Sequence, residues 1–146
     1  MLLEPVAGAL AMKTRLPVRI EYSRQEEFTA GRFRHPMIMR MRSGVKADGT
    51  LLAISMHSIG NAGAYGTHSF TVTRSTGHKT LCLYRAKAYH FQADAVYTNL
   101  PITGAMRGYG APQGFFALES HIDEIARRLN MDPLDFRRRN HCLLYT

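Results

Sequence analysis

The stretch GAMRGYGAPQ, at positions 104–113, combines three glycines with an arginine and a tyrosine. Glycines this closely spaced indicate a backbone that turns sharply or that lets a ligand approach it. Arg107 is a permanent planar cation, and the helix predicted to follow begins with free N–H groups and the positive end of its dipole. Tyr109 adds a flat ring and a hydroxyl. The stretch predicts a loop that binds a phosphate, a carboxylate or an oxo-anion beside a planar ligand.

The same residue types also fit a purely structural loop. In that alternative, Arg107 pairs with a local carboxylate and Tyr109 belongs to the core. A second stretch, GNAGAYGTHS at positions 60–69, also carries three glycines without clear periodicity. It is interpreted as another loop, which could face the same site as the first.

Other familiar chemistry is missing from the sequence. The seven histidines form no HxH or HExxH motif, so His57 and His90, on predicted strands, are interpreted as structural. Cys82 and Cys142 lack the paired spacing of a zinc site and are expected to be small buried side chains. There is no G-x-S-x-G elbow and no phosphate loop, and only the G-x-G part of a dinucleotide fingerprint occurs.

The composition fits one globular domain that spans residues 1–146, with 45% apolar and 21% charged residues. No signal peptide or membrane span is evident, which indicates a cytoplasmic protein without a membrane partner. The net charge of +8 suggests an anionic partner. The densest basic runs, at 127–128 and 137–139, lie on predicted helices and are interpreted as solvated helix faces.

Nucleic acid is the competing partner class, in which a basic α+β module would use Arg107 and the C-terminal arginines on an anionic chain. The aromatic residues of the predicted strand disfavour it. Tyr89, Phe91 and Tyr97 share a face with alanines, as on a core face, instead of alternating with lysine and arginine.

Hydrophobic periodicity predicts an α+β fold. A helix over 2–14, packed closely on its alanine side, precedes a strand at LPVRIEYS and a short helix over 24–28 that begins with a capping box. A hairpin over 37–59 turns at Asp48-Gly49. The later elements are an undecided segment over 72–83, a strand over 87–97, a helix over 113–129 ended by Asn130, and a helix at PLDFRRRN with Leu134 and Phe136 as core contacts.

Longer matching stretches carry a resemblance to a known family. These are EPVAGALAMKTRLPVRIEYSRQEEF, GRFRHPMIMRMRSGVKADGTLLAI, GNAGAY and the segment from TNLPITGAMRGYGAPQG to DPLDFRRRN. Together, and in this order, they resemble the molybdenum-binding large subunit of the xanthine dehydrogenase and aldehyde oxidoreductase family. The resemblance implies a partial molybdopterin-binding domain and a molybdenum–pyranopterin cofactor. It also implies as partners the remaining domains of the large subunit and iron–sulfur and flavin subunits or domains.

The resemblance assigns roles to individual residues. It implies that Arg107 contributes to cofactor binding, that Ala105 and Met106 lend backbone contacts, and that Tyr109 stacks against the substrate. Tyr109 stands where purine-oxidising members have phenylalanine, so the substrate class stays open among purines, aldehydes and other heterocycles. Ungapped counting places a further substrate-binding arginine of some members at Ser75, next to Arg74, and no role is carried over to either.

The resemblance also implies residues that this sequence lacks. The family's catalytic glutamate lies in a glycine-rich context, and no glutamate here follows G-x-G. The family's G-G-x-G-G-K stretch is missing as well. We therefore expect either an internal piece of a larger hydroxylase subunit or a short natural protein descended from one. In both cases the chain is expected to have no catalytic residue or metal ligand of its own and no hydroxylase activity alone. Apolar surfaces left uncovered would favour self-association.

Overall fold

The computed structural model describes residues 3–142 and divides into two compact units, Met1–Gly31 and Arg32–Thr146. The first unit holds two helices, α1 (Glu4–Thr14) and α2 (Arg24–Ala30). Arg15, in the left-handed conformation, ends α1 by donating its N–H to the carbonyl of Ala11. The predicted capping box begins α2: Ser23 Oγ accepts from the Glu26 N–H, and Glu26 Oε2 accepts from the Ser23 N–H.

Two predictions for the first unit are wrong. No residue of α1 is buried, so the helix is not packed closely on its alanine side. Residues 17–22 form no strand. Their side chains do alternate, with Val18, Ile20 and Tyr22 half-buried, but a strand needs a partner, and residues 3–31 contain no other strand to pair with.

The second unit is built on a mixed three-stranded sheet of order β1-β2-β3. Strands β1 (Met37–Val45) and β2 (Leu51–Gly63) form the predicted antiparallel hairpin, with Gly49 at φ 85° in its turn. The Asp48 carboxylate accepts the Thr50 N–H, which closes that turn. Because β2 continues to Gly63, the loop expected from residue 60 begins four residues later.

Helix α3 (Ser69–His78) connects β2 to β3 (Ala88–Tyr97), which pairs in parallel with β2. The undecided segment is therefore mostly helical, and a 3-10 turn at Leu81–Leu83 follows. Strand β3 lies at the sheet edge, and of its predicted apolar face Phe91 packs against Gly77 of α3. Phe91 is half-buried there, while Tyr89 and Tyr97 are 49% and 71% exposed.

Helix α4 (Ala111–Arg128) confirms the predicted long helix, and Asn130 follows it at φ 52°. The spacing of its apolar residues predicts a buried face of Phe115, Leu118, Ile122, Ile125 and Leu129, which is only partly observed. Leu118 and Ile122 are fully buried, but Phe115 is exposed because Gly114 holds the place against α3. A side chain at Gly114 would collide with the Thr76 carbonyl.

Helix α5 (Pro133–Asn140) starts at Asp132, whose carboxylate accepts the N–H groups of Leu134 and Asp135. Phe136 is fully buried as predicted, whereas Leu134 is 59% exposed and is not a core contact. The core lies between the sheet and helices α4 and α5: Leu51, Ile54, Met56, Leu81, Tyr84, Leu118, Ile122, Ala126 and Phe136.

Both cysteines are free thiols. Cys82 is exposed and Cys142 is half-buried, so the expectation of two buried side chains is wrong. Cys82 follows the end of α3 in the 3-10 turn, where little covers it. Across residues 3–142, no helix combines the length and apolar character needed to cross a membrane.

Candidate functional site

The loop of residues 104–110, here called the arginine loop, is the last part of the connection between β3 and α4. Its start is fixed by the segment before β1, because the Phe33 N–H donates to Ile102 O and the Gly104 N–H donates to Phe33 O at 3.0 Å. Its end is fixed by a turn in which the Tyr109 N–H donates to Met106 O at 2.8 Å.

Three successive residues of this loop lie in the left-handed region, with φ of 90° at Gly108, 47° at Tyr109 and 87° at Gly110. A bulky residue adopts this conformation only at an energetic cost, so the surroundings must hold Tyr109 in place. Gly110 is required for a second reason. A Cβ there would collide with the Val72 carbonyl, so only glycine lets the loop lie directly on α3.

Arg107 is exposed at the tip of the loop, as are Ala105 and Met106. None of the carboxylates of residues 32–142 forms an ion pair with its guanidinium. The structural alternative, in which Arg107 pairs with a local carboxylate, is therefore not observed in this part of the chain.

The carbonyl of Arg107 is held instead by another arginine. Arg34 Nη2 donates to it at 2.8 Å, and Arg34 Nη1 contacts Gln113 Oε1 at 3.4 Å. Gln113 in turn donates to the carbonyl of His35 at 3.4 Å. Arg34 thus ties the loop tip to the start of α4. No sequence pattern singles out Arg34, although it lies in the GRFRHP stretch that carries the resemblance.

Tyr109 is half-buried, with its ring clamped between two side chains. Its hydroxyl lies 2.7 Å from His68 Nδ1, and the two rings meet edge-on at 5.8 Å. Lys79 Nζ lies 5.3 Å from the Tyr109 ring centroid. Because His68 belongs to the GNAGAYGTHS stretch, the two glycine-rich stretches contact each other, as the prediction that both face one site requires.

A buried hydrogen-bond chain supports both loops from beneath. His35 Nε2 bonds Ser69 Oγ at 2.9 Å, Ser69 Oγ bonds Thr103 Oγ1 at 3.1 Å, and Thr103 Oγ1 donates to Asn61 O. His35 is 2% exposed, and burial, reinforced by the nearby charge of His68, lowers its pKa. Such a buried polar network fixes the relative positions of the segments that it joins.

The two residues of α3 considered for a substrate role point in different directions. Ser75 is 8% exposed and packs against Gly110, so it lies under the arginine loop. Arg74 is exposed and lines a separate cavity of about 570 Å³ with Phe91, Cys82 and Cys142. Arg107 does not line this cavity.

A larger groove of about 720 Å³ opens between β1 and α4 beside the arginine loop. Arg34 and Gln113 form its end nearest the loop, and Phe116, 78% exposed, forms part of its wall. The methionines that alternate along β1 supply the opposite wall: Met37, Met39 and Met41.

The charges of the second unit are distributed unevenly. Each carboxylate in residues 32–142 is engaged away from the arginine loop: Asp48, Asp94, Glu119, Asp123, Glu124, Asp132 and Asp135. The cationic side chains of Arg107 and Lys79 consequently have no carboxylate partner in this unit. An anionic ligand would meet no carboxylate competing for them.

The basic runs near the C-terminus are paired. Arg137 binds Glu119 and Asp123, at 2.7 Å each, and Glu124 binds Arg127 and Arg128. Arg127, Arg128 and Arg138 nevertheless remain largely exposed, as the interpretation of solvated helix faces predicts. The interpretation of His57 and His90 as structural agrees with their contacts, to Asp94 at 2.6 Å and to Ser55 at 3.2 Å.

No group of three or more His, Cys, Asp or Glu side chains in residues 3–142 is arranged to hold a metal ion. The arrangement suits a large anionic group better than a bare cation, since it offers cations and exposed backbone instead of carboxylates.

Part of each of two solved oxidoreductases has the same fold as this chain. Aldehyde oxidoreductase from Desulfovibrio gigas matches 95% of the chain with a TM-score of 0.84 and 32% identity, and 15% of that protein is covered. Quinoline 2-oxidoreductase from Pseudomonas putida 86 matches 95% with a TM-score of 0.82 and 31% identity, and 18% of it is covered.

The chain belongs to the molybdopterin cofactor-binding domain family, whose model matches residues 1–141. A putative xanthine dehydrogenase molybdenum-binding subunit of Escherichia coli (strain K12) is 44% identical over 138 residues, which are 94% of this chain and 18% of that protein. The chain therefore spans less than a fifth of the length of these relatives. The resemblance, the α+β class and the molybdenum–pterin cofactor of the full-length protein are confirmed.

Proposed function

We propose that this chain supplies the arginine loop to the cofactor and substrate pocket of a xanthine dehydrogenase-like molybdenum hydroxylase. The observation that carries the proposal is the state of Arg107. It is exposed on a loop held by Arg34, and no carboxylate of residues 32–142 neutralises it. A guanidinium presented in this way binds oxygen-rich anions through paired hydrogen bonds.

The residues present fit a molybdenum–pyranopterin. The loop offers a cation, exposed backbone at Ala105 and Met106, and the start of α4, all suited to the oxygen and phosphate groups of such a cofactor. When bound, the cofactor supplies the redox centre of the hydroxylation. Arg107 would hold it, and Ala105 and Met106 would contribute backbone contacts.

Tyr109 would border the substrate. Its ring is fixed by the contact with His68, and its half-buried position beside Arg107 suits a side chain that orients a planar molecule next to the cofactor. Because the hydroxyl is already bonded to His68, the ring face and edge, more than the hydroxyl, would contact the substrate.

The chain supplies one part of the catalytic machinery. It has no glutamate in a glycine-rich context, so the general base would come from elsewhere in the longer protein. We propose as partners the remaining domains of a large subunit together with iron–sulfur and flavin domains or subunits, in the cytoplasm. Residues 1–146 alone are expected to show no hydroxylase activity.

Replacing Arg107 in the full-length protein tests this proposal. Arg107→Ala should lower the molybdenum and pterin content per polypeptide, because the cofactor loses its guanidinium contact. Arg40→Ala is the matched control, since Arg40 is also exposed and lies on β1 away from the loop. Equal molybdenum and pterin content in Arg107→Ala, Arg40→Ala and the unaltered protein would contradict a cofactor-binding role for Arg107.

A further inference from the structure

Lys79, directly after α3, extends its side chain over Tyr109. Its Nζ lies 5.3 Å from the Tyr109 ring centroid and donates to the Tyr109 carbonyl at 3.4 Å. A lysine at the end of a helix also complements the helix dipole. The Lys79 side chain also contacts a residue of the arginine loop that lies 30 positions later in the sequence, and it remains exposed there.

The charge of Lys79 is uncompensated within the second unit. All carboxylates of residues 32–142 bind other groups, and the aromatic face and carbonyl of Tyr109 are weak substitutes for an anion. An incoming carboxylate would exchange these contacts for a charge-assisted hydrogen bond, which is stronger than a neutral one.

His68 occupies the polar end of the Tyr109 side chain, so Lys79 is the charged group that remains at the ring face. The Tyr109 hydroxyl is bonded to His68 Nδ1, and the His68 ring packs edge-on against Tyr109, so the tyrosine is held in one plane with its polar end engaged. A planar molecule beside Tyr109 therefore meets an ammonium group close to the ring face.

We propose that Lys79 is a specificity-determining residue that makes this site favour planar heteroaromatic substrates bearing a carboxylate over their uncharged analogues. The inference rests on the proposed function, because it requires Tyr109 to border the substrate. It adds a substrate class and a residue that neither the motifs nor the loop arginine indicated.

The test compares two ligands that differ in charge and share a ring, pyridine-3-carboxylate and pyridine-3-carboxamide. Their affinities for the full-length, cofactor-loaded protein are measured by calorimetry, which needs no turnover, and kcat/KM is measured where either is oxidised. The variants are Lys79→Met, which removes the charge, and Lys79→Arg, which keeps it. Lys87→Met is the control, because Lys87 is exposed at the opposite end of β2, beside Leu52.

We expect the unaltered protein to bind the carboxylate about two- to fivefold more tightly than the carboxamide, as for one solvent-exposed ion pair. Lys79→Met should reduce this affinity ratio to about one and leave carboxamide affinity unchanged. Lys79→Arg and Lys87→Met should keep the ratio of the unaltered protein. The ratio should also decline with added salt.

A ratio near one in the unaltered protein, or a ratio that survives Lys79→Met, would overturn the inference. Absence of binding by both ligands would overturn it too. These results leave the cofactor proposal standing, because that proposal is tested by the molybdenum and pterin content of Arg107→Ala and not by ligand charge.

Discussion

Arg34 Nη2 donates a 2.8 Å hydrogen bond to the carbonyl oxygen of Arg107, so one arginine holds the backbone of the other. The two residues are 73 positions apart, and the bond leaves the Arg107 guanidinium exposed to solvent. The positioning of the arginine loop therefore depends on a segment that precedes the sheet.

Arg34→Met should loosen the arginine loop without unfolding the sheet. The loss of one charge-assisted hydrogen bond should speed amide hydrogen exchange in residues 104–110 by about tenfold, corresponding to roughly 1.5 kcal/mol. Hydrogen exchange followed by mass spectrometry measures this. Arg40→Met serves as the control, and unchanged exchange in Arg34→Met would show that Arg34 does not hold the loop.

Asn140→Ala should destabilise the protein by about 2–3 kcal/mol. Its buried side chain accepts the Leu51 N–H and donates to Gly49 O and Phe136 O, so alanine would leave buried backbone groups unpaired. Urea unfolding gives the free energy. In the same helix Leu134→Ala should cost under about 0.5 kcal/mol, because Leu134 is exposed. Equal losses in both variants would be inconsistent with the burial pattern of α5.

Glycine-to-alanine changes should have opposite signs in two helices. Gly114→Ala should cost about 1–3 kcal/mol, since its Cβ would collide with the Thr76 carbonyl and separate α4 from α3. Gly8→Ala in α1 should gain up to about 1 kcal/mol, because nothing lies within 4 Å and alanine favours helix. Thermal and urea unfolding compare the two, and a stabilised Gly114→Ala would contradict the close helix contact.

Stability should decrease in acid because of His35. Burial lowers its pKa below the ordinary 6.5, so at low pH the unfolded chain binds a proton that the folded chain resists. The free energy of unfolding is therefore not reduced by His35 above pH 6.5, and it decreases as the pH falls from 6.5 towards the pKa of His35 in the folded protein. His121 contributes in the same direction, since burial also lowers its pKa.

Urea unfolding between about pH 7.5 and about pH 5.5 measures this dependence. The free energy of unfolding should change less steeply with pH in His35→Gln than in the unaltered protein. His121→Gln should also reduce this slope, independently of His35. An identical slope in His35→Gln and the unaltered protein would exclude a contribution from His35.

Much of the fold was predictable because it depends on local patterns. The capping box at Ser23, the turn at Asp48-Gly49 and the period of Leu118 and Ile122 each act within a few residues. The helical period does not predict that Gly114 contacts α3 in place of Phe115, because this contact depends on which element packs against α4. Likewise, the alternation of residues 17–22 describes side-chain burial but not the partner that a strand requires.

The candidate site was predictable only in part. Glycine spacing and residue types singled out Arg107 and Tyr109, and the shared family supplies their roles as proposals. The contacts that place them come from distant segments: Arg34 at the loop tip, and His68 and Lys79 on Tyr109. No local pattern encodes such pairings, since they arise only when the sheet brings its loops to one end.

Chemical modification of Arg107 tests the central claim most directly. The full-length protein, with and without its molybdenum–pyranopterin, is treated with an arginine-specific dicarbonyl reagent, and the modification rates of Arg107 and Arg40 are followed by peptide mass spectrometry. If the arginine loop binds the cofactor, Arg107 should react more slowly in the loaded protein while Arg40 reacts equally in both. Equal rates for Arg107 with and without the cofactor would contradict the account.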